Sequence, residues 1–168
     1  QIQEPKPVNE EIEEFFNKAK KGAVLMSMGS SLRSDTFEEH KLQAIVETFR
    51  QLPDYHFIWK FETDGKLKDL PKNMMIKPWL SQNDILAHPK VKAFISHSGM
   101  LSTQESTWHG VPIVGIPMFT DQKRNLQKSI NFGVARRVNF DEITVDNLKE
   151  NVVEVLENPK YTENMKLR

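Results

Sequence analysis

Cysteine is absent from the 168 residues. That rules out a disulfide framework and thiolate metal sites, and leaves the compartment open. Charge of either sign is not in excess: 23 Lys plus Arg balance 23 Asp plus Glu. A nucleic-acid partner would leave a basic surplus, so none is expected. The basic clusters Lys18/Lys20/Lys21 and Arg136/Arg137 read instead as a helix C-terminus and a strand edge. No run of about 18 apolar residues occurs, so no segment here reads as a membrane-spanning helix. There is no initiator methionine and no signal peptide, and residues Tyr161 to Arg168 carry no fold-ending signal. The chain is therefore expected to be one domain cut from a longer protein, whose targeting and anchoring segments these residues do not describe.

What is present suits one globular domain spanning residues 1–168. Hydrophobic residues make up 38% and charged residues 27%, enough for a sizeable core. Ile12, Phe15, Phe16 and Ala19 recur at helical spacing behind Asn9, a favourable N-cap, with glutamates early and lysines late. The apolar run Ala23 to Met28 ends in Gly29-Ser30-Ser31. Thr36 and Glu39 can form a capping box ahead of a helical stripe of Leu42, Ile45, Val46, Phe49 and Leu52. Short β-rich runs follow at His56–Phe61, Met74–Trp79, Val91–His97 and Val111–Ile116, with a polar loop expected over Glu62–Lys72. Val134 to Phe140 reads as a last strand, before a helix bearing Leu148, Val152, Val155 and Leu156 and closed by Asn158-Pro159. Short apolar strands alternating with amphipathic helices predict an α/β fold: a doubly wound, Rossmann-like parallel sheet of about six strands.

In such sheets ligands bind beyond the carboxyl ends of the strands. Four of those ends carry small, polar or aromatic residues. His97, Gly99 and Ser102 surround a strand-to-helix turn whose helix is expected to begin near Leu101 or Ser102. Free N–H groups there suit a phosphate, although Ser102 and Glu105 could simply form a capping box. The Glu105 carboxylate could accept from a ribose diol or serve only the helix end. Trp79 could stack on a base or be a core residue, and Ser81 or Asp84 could cap the helix that follows. Asp121 and Gln122 could grip sugar hydroxyls, with helix capping by Thr120 or Asp121 as the alternative.

Together these stretches resemble the signature of the UDP-glycosyltransferase family. The resemblance runs from Trp79-Leu80-Ser81-Gln82-Asn83-Asp84 through Ser96-His97-Ser98-Gly99, Ser102-Thr103-Gln104-Glu105-Ser106 and His109-Gly110-Val111-Pro112 to Asp121-Gln122. Met26 to Ser31 is similar to the family's first strand and serine loop. It implies the C-terminal, donor-binding half of a GT-B fold. By position in the signature, Trp79 would stack on uracil, Gln82 would help hold the nucleoside and Glu105 the ribose. His97, Gly99, Ser102 and Ser30 would surround the diphosphate, and Asp121 and Gln122 would hold the transferred sugar. No cofactor and no metal is expected, because a helix end would stabilise the diphosphate charge.

The resemblance further implies an inverting transfer whose histidine base and its aspartate lie on an acceptor-binding N-terminal domain absent here. None of the five histidines is therefore nominated as base; His97 would serve the leaving group, and His88 and His109 would have structural roles. Leu101 stands where many relatives have asparagine, and Ser98 where glycine or cysteine is common. The Leu101-Ser102-Thr103-Gln104-Glu105 form is similar to invertebrate members, which favours UDP-glucose as donor, with UDP-glucuronic acid second. Acceptors would be small lipophilic alcohols, phenols or steroids, made more soluble by the sugar. The parent protein would sit in the endoplasmic reticulum, anchored by a helix beyond Arg168. Three rival readings are weighed. A dinucleotide oxidoreductase lacks its G-x-G-x-x-G after the first strand and the acidic residue that should follow. A nucleotide-sugar epimerase shares the two-domain plan, and a non-catalytic nucleotide-binding domain is the third.

Overall fold

The expected alternation of short strands and helices is realised among the described residues. The structure, a computed structural model, describes residues 2–29, 37–62, 65 and 67–167. The elements run α1 (Glu10–Asn17), β1 (Gly22–Ser27), α2 (Glu39–Arg50), β2 (Tyr55–Lys60), β3 (Met74–Lys77), α3 (Gln82–Leu86) and β4 (Val91–Ser96). They continue with α4 (Met100–Trp108), β5 (Ile113–Gly115), α5 (Thr120–Asn131), β6 (Ala135–Arg137), a 3-10 turn (Phe140–Glu142), α6 (Val145–Glu157) and α7 (Lys160–Lys166). The six strands form one sheet in the order β3-β2-β1-β4-β5-β6, and every pairing is parallel.

Alternation along the strands divides the core between the two faces. Val24 and Met26 of β1, with Phe57 and Trp59 of β2, pack against Leu42, Ile45 and Phe49 of α2 and Leu148, Val152 and Val155 of α6. Ala23 and Leu25, with Ile58 and Phe94, face Ile12, Phe15 and Phe16 of α1 and Ile85 and Leu86 of α3. A smaller group, Ile113, Leu126 and Ala135, seats α5 against β5 and β6. A sheet covered on both faces needs strands that are apolar throughout, and all six residues of β1 are buried.

Local capping differs from expectation in places. Asn9 caps α1 as its sequence predicts, accepting from the Ile12 N–H at 2.9 Å. The α2 helix begins one residue after Glu38, so Glu39 occupies its first position rather than the third position of a capping box; Thr36 lies outside the described residues. Trp79 is not part of β3, which ends at Lys77, because Pro78 cannot donate to the ladder. The C-terminal residues, expected to carry no ordered ending, form α7. Tyr161 and Met165, one turn apart, are buried, and the Asn164 amide donates to the Gly133 carbonyl at 3.0 Å. Among the described residues, no helix is long and apolar enough to cross a membrane.

The register sets up the functional rim. Lys77 pairs with Lys60, Lys60 with Ser27, Ser27 with Ser96, Ser96 with Gly115, and Gly115 with Arg137. The last residues of all six strands thus lie in one row across the sheet. Whatever follows each strand projects from the same edge.

Candidate functional site

Strand order reverses between β1 and β4, the switch point at which doubly wound sheets leave a crevice. Gly29, just after β1, and His97, just after β4, meet there. A methyl group on Gly29 would lie 3.0 Å from the His97 ring, and one on Gly99 only 2.7 Å from its Nε2. The imidazole is therefore wedged between two glycines. Gly29 also has φ +82, a backbone that L side chains rarely adopt. Burial lowers the pKa of His97; the Ser27 backbone and the Asp121 carboxylate oppose it more weakly. Its Nδ1 is buried without a formed hydrogen bond. The free ring is neutral at pH 7, with a carboxylate near enough to favour its protonation.

Beside His97, α4 starts at Met100, a residue earlier than expected, with Gly99 as its N-cap and no side-chain cap bond. The capping box of Ser102 and Glu105, the alternative to a phosphate site, does not form, since Ser102 is already inside the first turn. No side-chain cap bond occupies the first N–H groups of α4, the kind of helix end that suits an anion. Leu101, 64% exposed, offers no polar group there.

Ser102 and Glu105 turn sideways instead, toward α3. The Gln82 side-chain amide donates to Glu105 Oε1 at 2.7 Å and to Ser102 Oγ at 3.2 Å. Gln82, expected at the nucleoside, is thus directly linked to Glu105, expected at the ribose, and to Ser102, expected at the diphosphate. Ser81 occupies the N-cap of α3 without a side-chain hydrogen bond, and the Asp84 carboxylate accepts from the Lys6 N–H at 2.8 Å. Trp79, three residues upstream of Gln82, is 72% exposed and not a core residue. Its indole borders a cavity of about 290 Å³ that Val8, Ile12 and Leu80 also line. An exposed indole is suited to stacking.

At the far side of the crevice Asp121 is exposed in the first turn of α5, while Gln122 is buried, 8% exposed. Gln122 Oε1 accepts from the Met118 N–H at 2.7 Å and the Phe119 N–H at 3.2 Å. Helix capping at this strand end is therefore done by Gln122, not by Thr120 or Asp121. Ser30 lies outside the described residues.

Asn125 and Asn83 were given no role by sequence reasoning. The Asn125 amide donates to the Ser98 carbonyl at 3.1 Å, bracing the turn before α4. Ser98 has φ 69, which explains why glycine suits this position: a side chain in the left-handed region costs energy. Its hydroxyl is buried and unpaired. Asn83 Oδ1 meets His109 Nε2 at 2.7 Å, tying α3 to the end of α4. His88 Nε2 meets Glu13 Oε2 at 2.8 Å, while its Nδ1 accepts from the Lys90 N–H. Both histidines thus join elements, a structural role of the kind the resemblance implies for them.

Comparison with known proteins gives the family and the fold. The family model described as "UDP-glucoronosyl and UDP-glucosyl transferase" matches residues 1–168. UDP-glucosyltransferase 2 of Dactylopius coccus is 39% identical over 165 residues, which are 98% of this chain and 32% of that protein. UDP-glucuronosyltransferase 2B1 of Rattus norvegicus is 38% identical over 161 residues, 95% of this chain and 30% of that protein. The chain spans about a third of the length of these curated relatives. Among solved structures, the glycotransferase of kitacinnamycin superposes with a TM-score of 0.79 and 28% identity, over 98% of this chain and 40% of that one. Os79 from O. sativa, solved with UDP, superposes at 0.84 with 24% identity over 97% of this chain and 39% of that one, a likeness of fold. From its whole-length family match and the rim its strands assemble, the chain belongs to the UDP-glucuronosyl and UDP-glucosyl transferase family.

Proposed function

We propose that the chain is the C-terminal, donor-binding domain of an inverting UDP-glycosyltransferase, taking UDP-glucose or, second, UDP-glucuronic acid. The observation that carries this reading is the contact of Gln82 with both Ser102 and Glu105 beside His97, at the switch point of the sheet. In it, uracil stacks on the Trp79 indole and the ribose diol engages Glu105, whose two oxygens match two hydroxyls. The diphosphate meets the uncapped N-terminus of α4 and the His97 ring. Asp121 and the part of Gln122 not engaged with the backbone hold the sugar.

Departure of UDP is the step this domain assists. As the bond from the anomeric carbon to the diphosphate oxygen breaks, negative charge grows on that oxygen. The α4 N–H groups and an imidazole able to take up a proton stabilise it without a metal. The acceptor, a small lipophilic alcohol, phenol or steroid, and the base that deprotonates it belong to the partner domain. On this division of labour the isolated chain binds UDP weakly and turns over no acceptor.

Calorimetry of the chain against UDP, UDP-glucose, UDP-glucuronic acid and NAD tests the reading. Binding of the three uridine ligands without NAD is expected; exclusive NAD binding, or glucosylation of a lipophilic phenol by this chain alone, would overturn it.

A further inference from the structure

Two consecutive residues of α3 dock along one face of α4. Gln82 reaches Ser102 and Glu105, and Asn83 reaches His109. Positions 102, 105 and 109 are spaced by three and four, so they stack on a single side of the helix. The first two contacts join Gln82 to Glu105, which engages the ribose in the reading above, and to Ser102 in the first turn of α4. The third lies one turn further from the crevice, where it touches nothing expected of a ligand.

The direction of that outer bond is fixed by its neighbours. The Asn83 amide N–H donates to the Gln3 carbonyl at 2.8 Å, so its oxygen is what faces the ring at 2.7 Å. An oxygen can only accept, so His109 Nε2 carries the hydrogen. The bond is consequently made by the neutral ring as well as by the charged one. His109 is itself kept toward neutrality by burial, with Glu105 opposing.

Why such a bond matters follows from the size of α3. Five residues are too few for a helix to hold its own conformation. Ile85 and Leu86 anchor its far end in the core. Its first turn, which carries Gln82, has no side-chain cap and is held by side-chain contacts instead. Apolar packing sets how deep α3 sits and leaves its sliding along α4 weakly resisted, whereas a hydrogen bond with a defined donor and acceptor resists it.

We infer that Asn83 and His109 are a positioning pair, which sets the register of α3 against α4 and so holds Gln82 against Glu105 ready for a uridine nucleotide. Neither residue touches the nucleotide. The inference rests on the function proposed above. It adds one contact, at the outer end of the α3–α4 seam, on which donor binding depends.

The test compares His109→Phe, which keeps a ring and removes the donor, with His109→Gln, whose amide nitrogen can reach the position of Nε2. His109→Asn, with an amide too short to reach, serves as a second loss-of-bond variant should the phenylalanine variant not fold. Calorimetry is run with UMP, UDP, UDP-glucose and pyrophosphate, and the Gln82 side-chain amide is followed by NMR without ligand. Loss of the bond is expected to weaken UMP and UDP by about five- to tenfold, the scale of one hydrogen bond. Binding of pyrophosphate, and the affinity gained from UDP to UDP-glucose, should not change. His109→Gln should return to within about twofold of the parent, with the Gln82 resonances returning too.

Unmoved Gln82 resonances and unchanged UMP affinity in the loss-of-bond variants would overturn the inference. So would a glutamine variant as weak as the phenylalanine one, or an equal loss for pyrophosphate. If the parent chain binds no uridine ligand, the proposed function falls. The ligand-free Gln82 resonances then still decide whether the pair holds that side chain.

Discussion

At the scale of single residues, the crevice is organised around one imidazole. His97 fits only because Gly29 and Gly99 leave no side chain in its way, and its burial keeps it neutral in the free chain. A bound diphosphate favours the imidazolium, so binding takes up a proton. By linkage, affinity for UDP-glucose, whose own phosphates do not titrate in this range, should rise as pH falls from about 8 to 6. His97→Gln should flatten that dependence in calorimetric titrations across the same range. Ser98 makes the opposite case, a residue the fold tolerates at a cost. Its left-handed backbone and unpaired buried hydroxyl predict that Ser98→Gly raises the melting temperature by about 2–4 °C, the equivalent of about 1 kcal/mol in a chain of this size. Thermal unfolding followed by circular dichroism measures it, and a lower melting temperature would contradict the strain. The identities of these residues were legible in the sequence. What packs against them was not, because neither a glycine's clearance nor a neighbour's burial is written in local spacing.

Elements carried the clearest sequence signals and also the clearest misreadings. Helices and strands were placed by apolar periodicity, which a two-sided core imposes regardless of detail. Their ends were placed less well, since several side chains can cap a helix and only the realised backbone selects one. Gln122 is the instructive case: a residue expected to hold sugar has its carbonyl oxygen turned onto the N–H groups of Met118 and Phe119. Gln122→Ala should therefore destabilise the fold by about 1 kcal/mol, the loss of a cap, lowering the melting temperature by about 2–4 °C. Asp121→Ala, exposed in the same turn, should leave it within about 1 °C. Equal stability of the two variants would show that the cap is dispensable. The α7 helix was missed because seven residues offer a single buried pair, Tyr161 and Met165, too little pattern to separate helix from tail.

For the whole molecule, three histidines share one consequence. Burial depresses the pKa of His56, His97 and His109. The unfolded chain, whose histidines titrate near 6.5, then takes up protons before the folded one does. Stability should accordingly be full above about pH 7 and decline as pH falls below about 6.5. Urea unfolding between pH 7.5 and 5 reads this directly, and a midpoint that rose on acidification would refute it. The same linkage opposes the gain in donor affinity from His97, so binding tightens with acid while the free fold weakens.

The sequence by itself determined the sheet, its parallel strands, the family and the type of side chain at four of the strand ends. Those follow from the pattern of apolar residues and from an ordered signature between residues 79 and 122, both properties of the chain read in one dimension. Only the tertiary structure decided which of those ends meet. The register aligned the last residue of every strand in one row, the strand order put Gly29 beside His97, and α3 brought Gln82 onto Ser102 and Glu105. Contacts between residues 20 or more positions apart depend on strand order and helix docking, which are settled by packing the whole core at once.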